Sequence, residues 1–173
     1  VAVVDGSRIT TKEYHQRLEN SYGQTIAEQL IEEKLIEMEA SKQGVEVTEE
    51  EIGEQLQEVI DNIGGQEAYE TALIQNNITE EDLKYQIKLD QLAVSILKPT
   101  LEYTEDDVKA FFEQYSSVLY PNETSALEEG EKLDYEEFKE GVEEIFIRQE
   151  VDNSRSTWLE GLRGEYKIQN NSA

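Results

Sequence analysis

Cysteine is absent from this chain of 173 residues, which excludes disulfides, thiolate metal sites and a cysteine nucleophile. Histidine is nearly absent too: the single copy, His15, has no second histidine or thiolate to share a metal with, so it reads as a helix-surface residue and no cofactor is implied. No apolar run approaches the length of a membrane span. Basic residues are scarce, 15 against 40 acids, and the formal net charge of -25 repels phosphate backbones and anionic head groups. Nucleic acid and direct binding to a membrane surface are therefore excluded as partners. Apolar residues make up 37%, low for a compact globule, and proline occurs only twice.

A repeated helix start dominates what is present. An apolar residue, a Thr or Asp, two spacers, an acid and a second apolar residue recur from Ile9, Val47, Ile78, Tyr103 and Leu133. Each can close as a capping box, the first polar side chain accepting from the amide three residues on while the acid reaches back. The fold class that follows is all-α, assembled from separate helical segments.

Along the chain, Val1-Ala2-Val3-Val4, Asp5-Gly6 and Arg8-Ile9 read as a short strand and tight turn. A helix from Thr11 to about Asn20 is expected to break at Gly23, and a second to run from Thr25 to Lys42 with Gly44 as its stop. Further helices follow Thr48, Gly65, Thr79 and Thr104, the third closed by Pro99. Residues 116 to 133 lose all periodicity and contain Pro121 and Gly130, the composition of a linker. A long helix from Asp134 then carries Phe138, Val142, Ile145 and Phe146, crosses a polar stretch, and regains an apolar face at Trp158, Leu159 and Leu162. Tyr166-Lys167-Ile168-Gln169 alternates like a strand. The two terminal strands, each too short to be stable alone, are expected to pair in one minor sheet.

Several segments, in this order, resemble the chaperone domain of the SurA/PrsA-type extracytoplasmic folding factors, the parvulin-linked foldases. They are the opening Val-Val-Asp-Gly-Ser-Arg-Ile-Thr, Gln29 to Ile36, Gly44 to Ile52, Gly64-Gly65 with Tyr69 and Leu73, Ile78 to Leu83, and Tyr103 to Val108. The resemblance implies a helical chaperone part over 1–115, a linker over 116–133 where the family carries its parvulin isomerase module, and a closing helix and strand over 134–173 that pack back on the first part. It implies binding of unfolded or partly folded polypeptides outside the cytoplasm, at a cell surface or in a periplasm, with room for a homodimer and for an anchor upstream of Val1. The His-bearing strands and Gly-Gly segment of a parvulin module do not fit in residues 116–133, so no catalytic residues are assigned and isomerase activity by this chain is not expected. Two alternatives stay open: the chaperone part of an isomerase whose catalytic module lies elsewhere, and a dimerisation scaffold. For peptide binding, the aromatics Tyr69, Tyr85, Phe112, Tyr115 and Trp158 are the candidates, with Phe112 and Tyr115 expected to stay uncovered beside the linker; aromatics at helical spacing also suit a core, and exposure decides between the two.

Overall fold

The computed structural model describes residues 1–128 and 131–170. It is an all-α protein with one small antiparallel sheet: strands β1 (Ala2–Val4) and β2 (Ser7–Ile9), then helices α1 (Thr11–Gln43), α2 (Glu49–Ile63), α3 (Gln66–Asn76), α4 (Glu80–Leu97), α5 (Glu105–Leu119), α6 (Pro121–Ser125) and α7 (Tyr135–Glu165). Two units can be separated, Val1–Leu92 with Thr157–Ala173 and Ala93–Ser156, and the divisions fall within α4 and α7.

Four of the five repeated starts close as full capping boxes, at Thr10, Thr48, Thr79 and Thr104. In the second, the Glu51 amide donates to Thr48 Oγ1 at 3.2 Å and the Thr48 amide donates to Glu51 Oε2 at 2.7 Å. Hydrogen bonds from the capping threonine hold the reciprocal acids below the ordinary carboxylate range, the backbone N–H foremost for Glu13 and Glu51 and the hydroxyl foremost for Asp82 and Asp107. The fifth start differs: Asp134 Oδ1 accepts from the amide two residues on, that of Glu136, at 3.1 Å.

Three expectations are corrected. Gly23 does not break the first helix; α1 is continuous from Thr11 to Gln43. A mid-helix glycine costs about 1 kcal/mol relative to alanine but keeps its amide hydrogen bond, so it weakens a helix without ending it. Nor do the terminal strands pair with each other. β1 pairs with β2, Ala2 opposite Ile9 and Val4 opposite Ser7, through a turn in which Asp5 (φ 47°) and Gly6 (φ 84°) both take positive backbone angles. The two-residue turn closes a local hairpin at little entropic cost. Residues 167–170, in contrast, follow α7 without strand structure, and Tyr166 is held by its hydroxyl on Glu39 at 2.9 Å. Lastly, the aperiodic stretch is partly helical: α5 continues to Leu119 and α6 occupies Pro121–Ser125. Glu129 and Gly130 of that stretch lie outside the described residues.

In the first unit the end of α7 is fastened to α1. Arg163 bridges Glu28 at 2.9 Å and Glu32 at 3.1 Å, and Lys42 joins Glu39 to Glu165. Leu35, Ile36, Ile52, Leu56, Tyr69, Leu159 and Leu162 are buried. Among the described residues no helix is long and apolar enough to cross a membrane.

Candidate functional site

The second unit is organised by an aromatic core. Val108, Phe111 and Phe112 on α5 meet Val142 and Phe146 on α7. Positions 108, 111, 112 and 115 recur at the spacing of one helical face, which is why α5 turns that face inward. Phe112 lies at its centre: its ring stacks on Phe138 at 5.9 Å between centroids and meets Tyr135 edge-on at 5.7 Å. It is 3% exposed, so the expectation that it stays uncovered beside the linker is corrected; the residues after α5 fold over it. Tyr115, at the rim of the same face, is 36% exposed, with its ring 4.9 Å from Phe111 and its hydroxyl accepting from Gln114.

A pocket of about 290 Å³ opens on this core. Lys109, Phe112, Glu113 and Ser116 form its α5 wall, Thr124 and Leu127 a second wall, and Glu131, Lys132, Leu133 and Tyr135 a third. Its apolar floor of Phe112, Leu127, Leu133 and Tyr135 is rimmed by two lysines and two glutamates. Lys109 and Lys139 lie near the face of the Tyr135 ring, 5.3 and 6.0 Å from its centre, and both pair with Glu105, at 3.5 and 2.7 Å. The Lys139 hydrogen bond, with the Lys109 charge behind it, lowers the Glu105 pKa; burial raises that of the Tyr135 hydroxyl. Such a floor takes an apolar side chain, and the rim can hydrogen-bond the backbone on either side. At about 300 Å³ a pocket stands at the bottom of the small-molecule range, a size for one or two side chains.

The remaining sequence candidates belong to the first unit. Tyr69 on α3 is 2% exposed, a core residue whose hydroxyl has no hydrogen-bond partner among the described residues; burial raises its pKa. Tyr85 on α4 is half-buried and donates to Glu37 at 3.4 Å, and Trp158 on α7 is half-buried. His15 is exposed on α1, its ring 5.9 Å from that of Tyr14. Among the described residues no three His, Asp or Glu side chains converge as metal ligands would.

Sequence reasoning missed the most exposed apolar surface of the first unit. Val1, Val3, Val4, Ile9, Tyr14, Leu18, Tyr22, Ile26 and Leu30 are all exposed. The fourfold spacing from Tyr14 to Leu30 was the available signal, and the break expected at Gly23 cut it in two. Leu127 and Leu133 were missed because they fall in the stretch without periodicity.

Comparison with known proteins gives consistent likenesses. Residues 21–97 match the SurA-like N-terminal domain. The chain is 26% identical over 151 residues to the foldase protein PrsA of Oceanobacillus iheyensis, covering 83% of this chain and 49% of that protein. It is 29% identical to the foldase protein PrsA of Geobacillus kaustophilus, covering 73% and 44%, and 22% identical to the foldase protein PrsA 1 of Listeria monocytogenes, covering 77% and 45%. It thus spans about half the length of the curated relatives it matches. No solved structure matches. The order of capped helices and these likenesses together make the chain similar to SurA-like N-terminal domains over residues 21–97 and to PrsA foldases over about half of their length.

Proposed function

We propose that this chain is an extracytoplasmic chaperone domain that holds non-native polypeptides without catalysis of its own, and that the α5–α7 pocket is where an apolar client side chain seats. The observation that carries the reading is the pocket itself, an open apolar floor with a rim of balanced charge in a chain of net charge -25. The acidic shell keeps a complex soluble and favours basic clients. Leu127→Asp tests it. Leu127 lines the pocket half-buried, and a charge there should weaken binding of a fluorescent unfolded polypeptide by about tenfold or more, the loss of one buried aliphatic contact. Unchanged affinity with an unchanged helical signal would remove the pocket from the function.

A second reading has support in the coverage of the relatives. Because the chain spans about half their length, it can be the chaperone part of a longer foldase whose isomerase lies in the other half. In a protease-coupled assay on a proline tetrapeptide, the 173-residue chain should give no rate above the uncatalysed one. Turnover by this chain would overturn the non-catalytic reading, whereas turnover only by a longer protein would support the second.

A further inference from the structure

A second concavity, of about 610 Å³, lies in the first unit, and its chemistry differs from that of the α5–α7 pocket. β2 forms one wall with Ser7 and Arg8. The opening turns of α1 form the other with Glu13, Gln16, Arg17 and Asn20, positions that share one helical face.

With 40 acids for 15 bases, a cation without a carboxylate needs a reason. Arg163, for comparison, bridges two glutamates at once. Arg8 and Arg17 are exposed and have neither an ion pair nor a side-chain hydrogen bond among the described residues. On a helix, a glutamate four residues before a cation is its natural partner. Glu13 stands in that position relative to Arg17, but its Oε2 accepts from the Thr10 amide and the Thr10 hydroxyl, each at 2.8 Å, and the capping box holds it instead. Arg8 lies opposite Val3 in the hairpin, an apolar residue that offers it nothing. Two guanidinium groups are thus left on the two walls of one concavity, with the neutral side chains of Ser7, Gln16 and Asn20 beside them.

A guanidinium fork gives a carboxylate two parallel hydrogen bonds. The hydroxyl and amide side chains both donate and accept, which a peptide backbone uses in full and a bare ion does not. The volume stands in the middle of the range for small-molecule sites, room for a few residues rather than one ion. We propose that this cleft binds an acidic peptide segment, Arg8 and Arg17 taking its carboxylates while Gln16 and Asn20 hold its backbone. The net charge of -25 opposes such a ligand at a distance. At physiological ionic strength the Debye length is about 8 Å, so remote acids are screened while contacts inside the cleft persist. The cleft therefore gives acidic stretches a foothold on a chain that otherwise repels them, and it does not depend on the function proposed for the α5–α7 pocket.

The probe is a short fluorescent peptide of alternating Glu and Ser, with a Gln and Ser peptide as its neutral counterpart, followed by fluorescence anisotropy at physiological salt. The intact chain should bind the acidic peptide saturably and the neutral one at least about tenfold more weakly. Arg8→Gln and Arg17→Gln should each weaken binding by about tenfold, and together by about 100-fold, one charge-assisted contact apiece. Both positions are exposed, so the helical signal should hold. Lys12→Gln, which removes an exposed cation of α1 outside the cleft, and Leu127→Asp, in the other unit, should leave binding as it is. No saturable binding by the intact chain, binding that survives loss of both arginines, or an equal loss with Lys12→Gln would overturn the proposal. Loss with Leu127→Asp would move the peptide to the α5–α7 pocket and overturn it as well. So would full displacement by inorganic phosphate at the peptide's own concentration, which would make the cleft a site for small oxyanions.

Discussion

Phe112→Ala is expected to lower the stability of the α5–α7 unit by about 3–5 kcal/mol in chemical denaturation, the range for truncating a fully buried phenylalanine. The cause is not lost area alone. The ring is stacked on Phe138, edge-on to Tyr135 and 6.3 Å from Tyr120, so its removal leaves a hole lined by aromatic faces that α6 and the start of α7 cannot jointly close. Near-UV circular dichroism should fall with it. Tyr115→Ser is the contrast: one turn on, partly exposed, it forfeits a single ring contact worth about 0.5–1.5 kcal/mol. Equal, small costs at the two positions would mean that α5 does not present its face to α7 as described.

That contrast shows what was legible in the sequence. Helix starts were, because a capping box is local: Thr48 and Glu51 need only each other to satisfy the first amides of α2. The hairpin turn was legible for the same reason, with Asp5 and Gly6 supplying both positive angles. What failed was non-local. Nothing in Tyr166 to Gln169 announces that the Tyr166 hydroxyl is held by Glu39, more than a hundred residues away, and the alternating pattern by itself reads as a strand. Nor does the spacing of Phe112 and Tyr115 say which lies at the centre of a buried face and which at its rim. Residues 116–133 lack periodicity because α6 is a five-residue helix, too short for a repeat to register, yet Thr124, Leu127 and Leu133 furnish much of the pocket.

The fastening of α7 to α1 should be acid-labile, with Glu39 as the reason. Its carboxylate is 6% exposed and accepts from Gln43 Nε2 at 2.8 Å, Lys42 Nζ at 3.1 Å and the Tyr166 hydroxyl at 2.9 Å. Donors on every side favour the ionised form, Gln43 foremost, and hold its pKa below the ordinary value of 4.5. The folded state therefore binds fewer protons than the unfolded one between the two values. Its contribution is fully present above 4.5 and is lost as pH falls through the lowered folded value. Overall stability alone would obscure this, because protonating part of the 40 acids also relieves self-repulsion. Comparison with Glu39→Gln cancels most of that background. The variant keeps the shape but not the charge, so it should be less stable by about 1–3 kcal/mol at pH 7, with the difference shrinking steadily once the pH drops below 4.5. Tyr166→Phe, removing one donor, should show a smaller deficit that fades over the same acid range. A Glu39→Gln deficit that stays constant into strong acid would assign the cost to packing, and the ionised carboxylate would then have no part in holding α7 on α1.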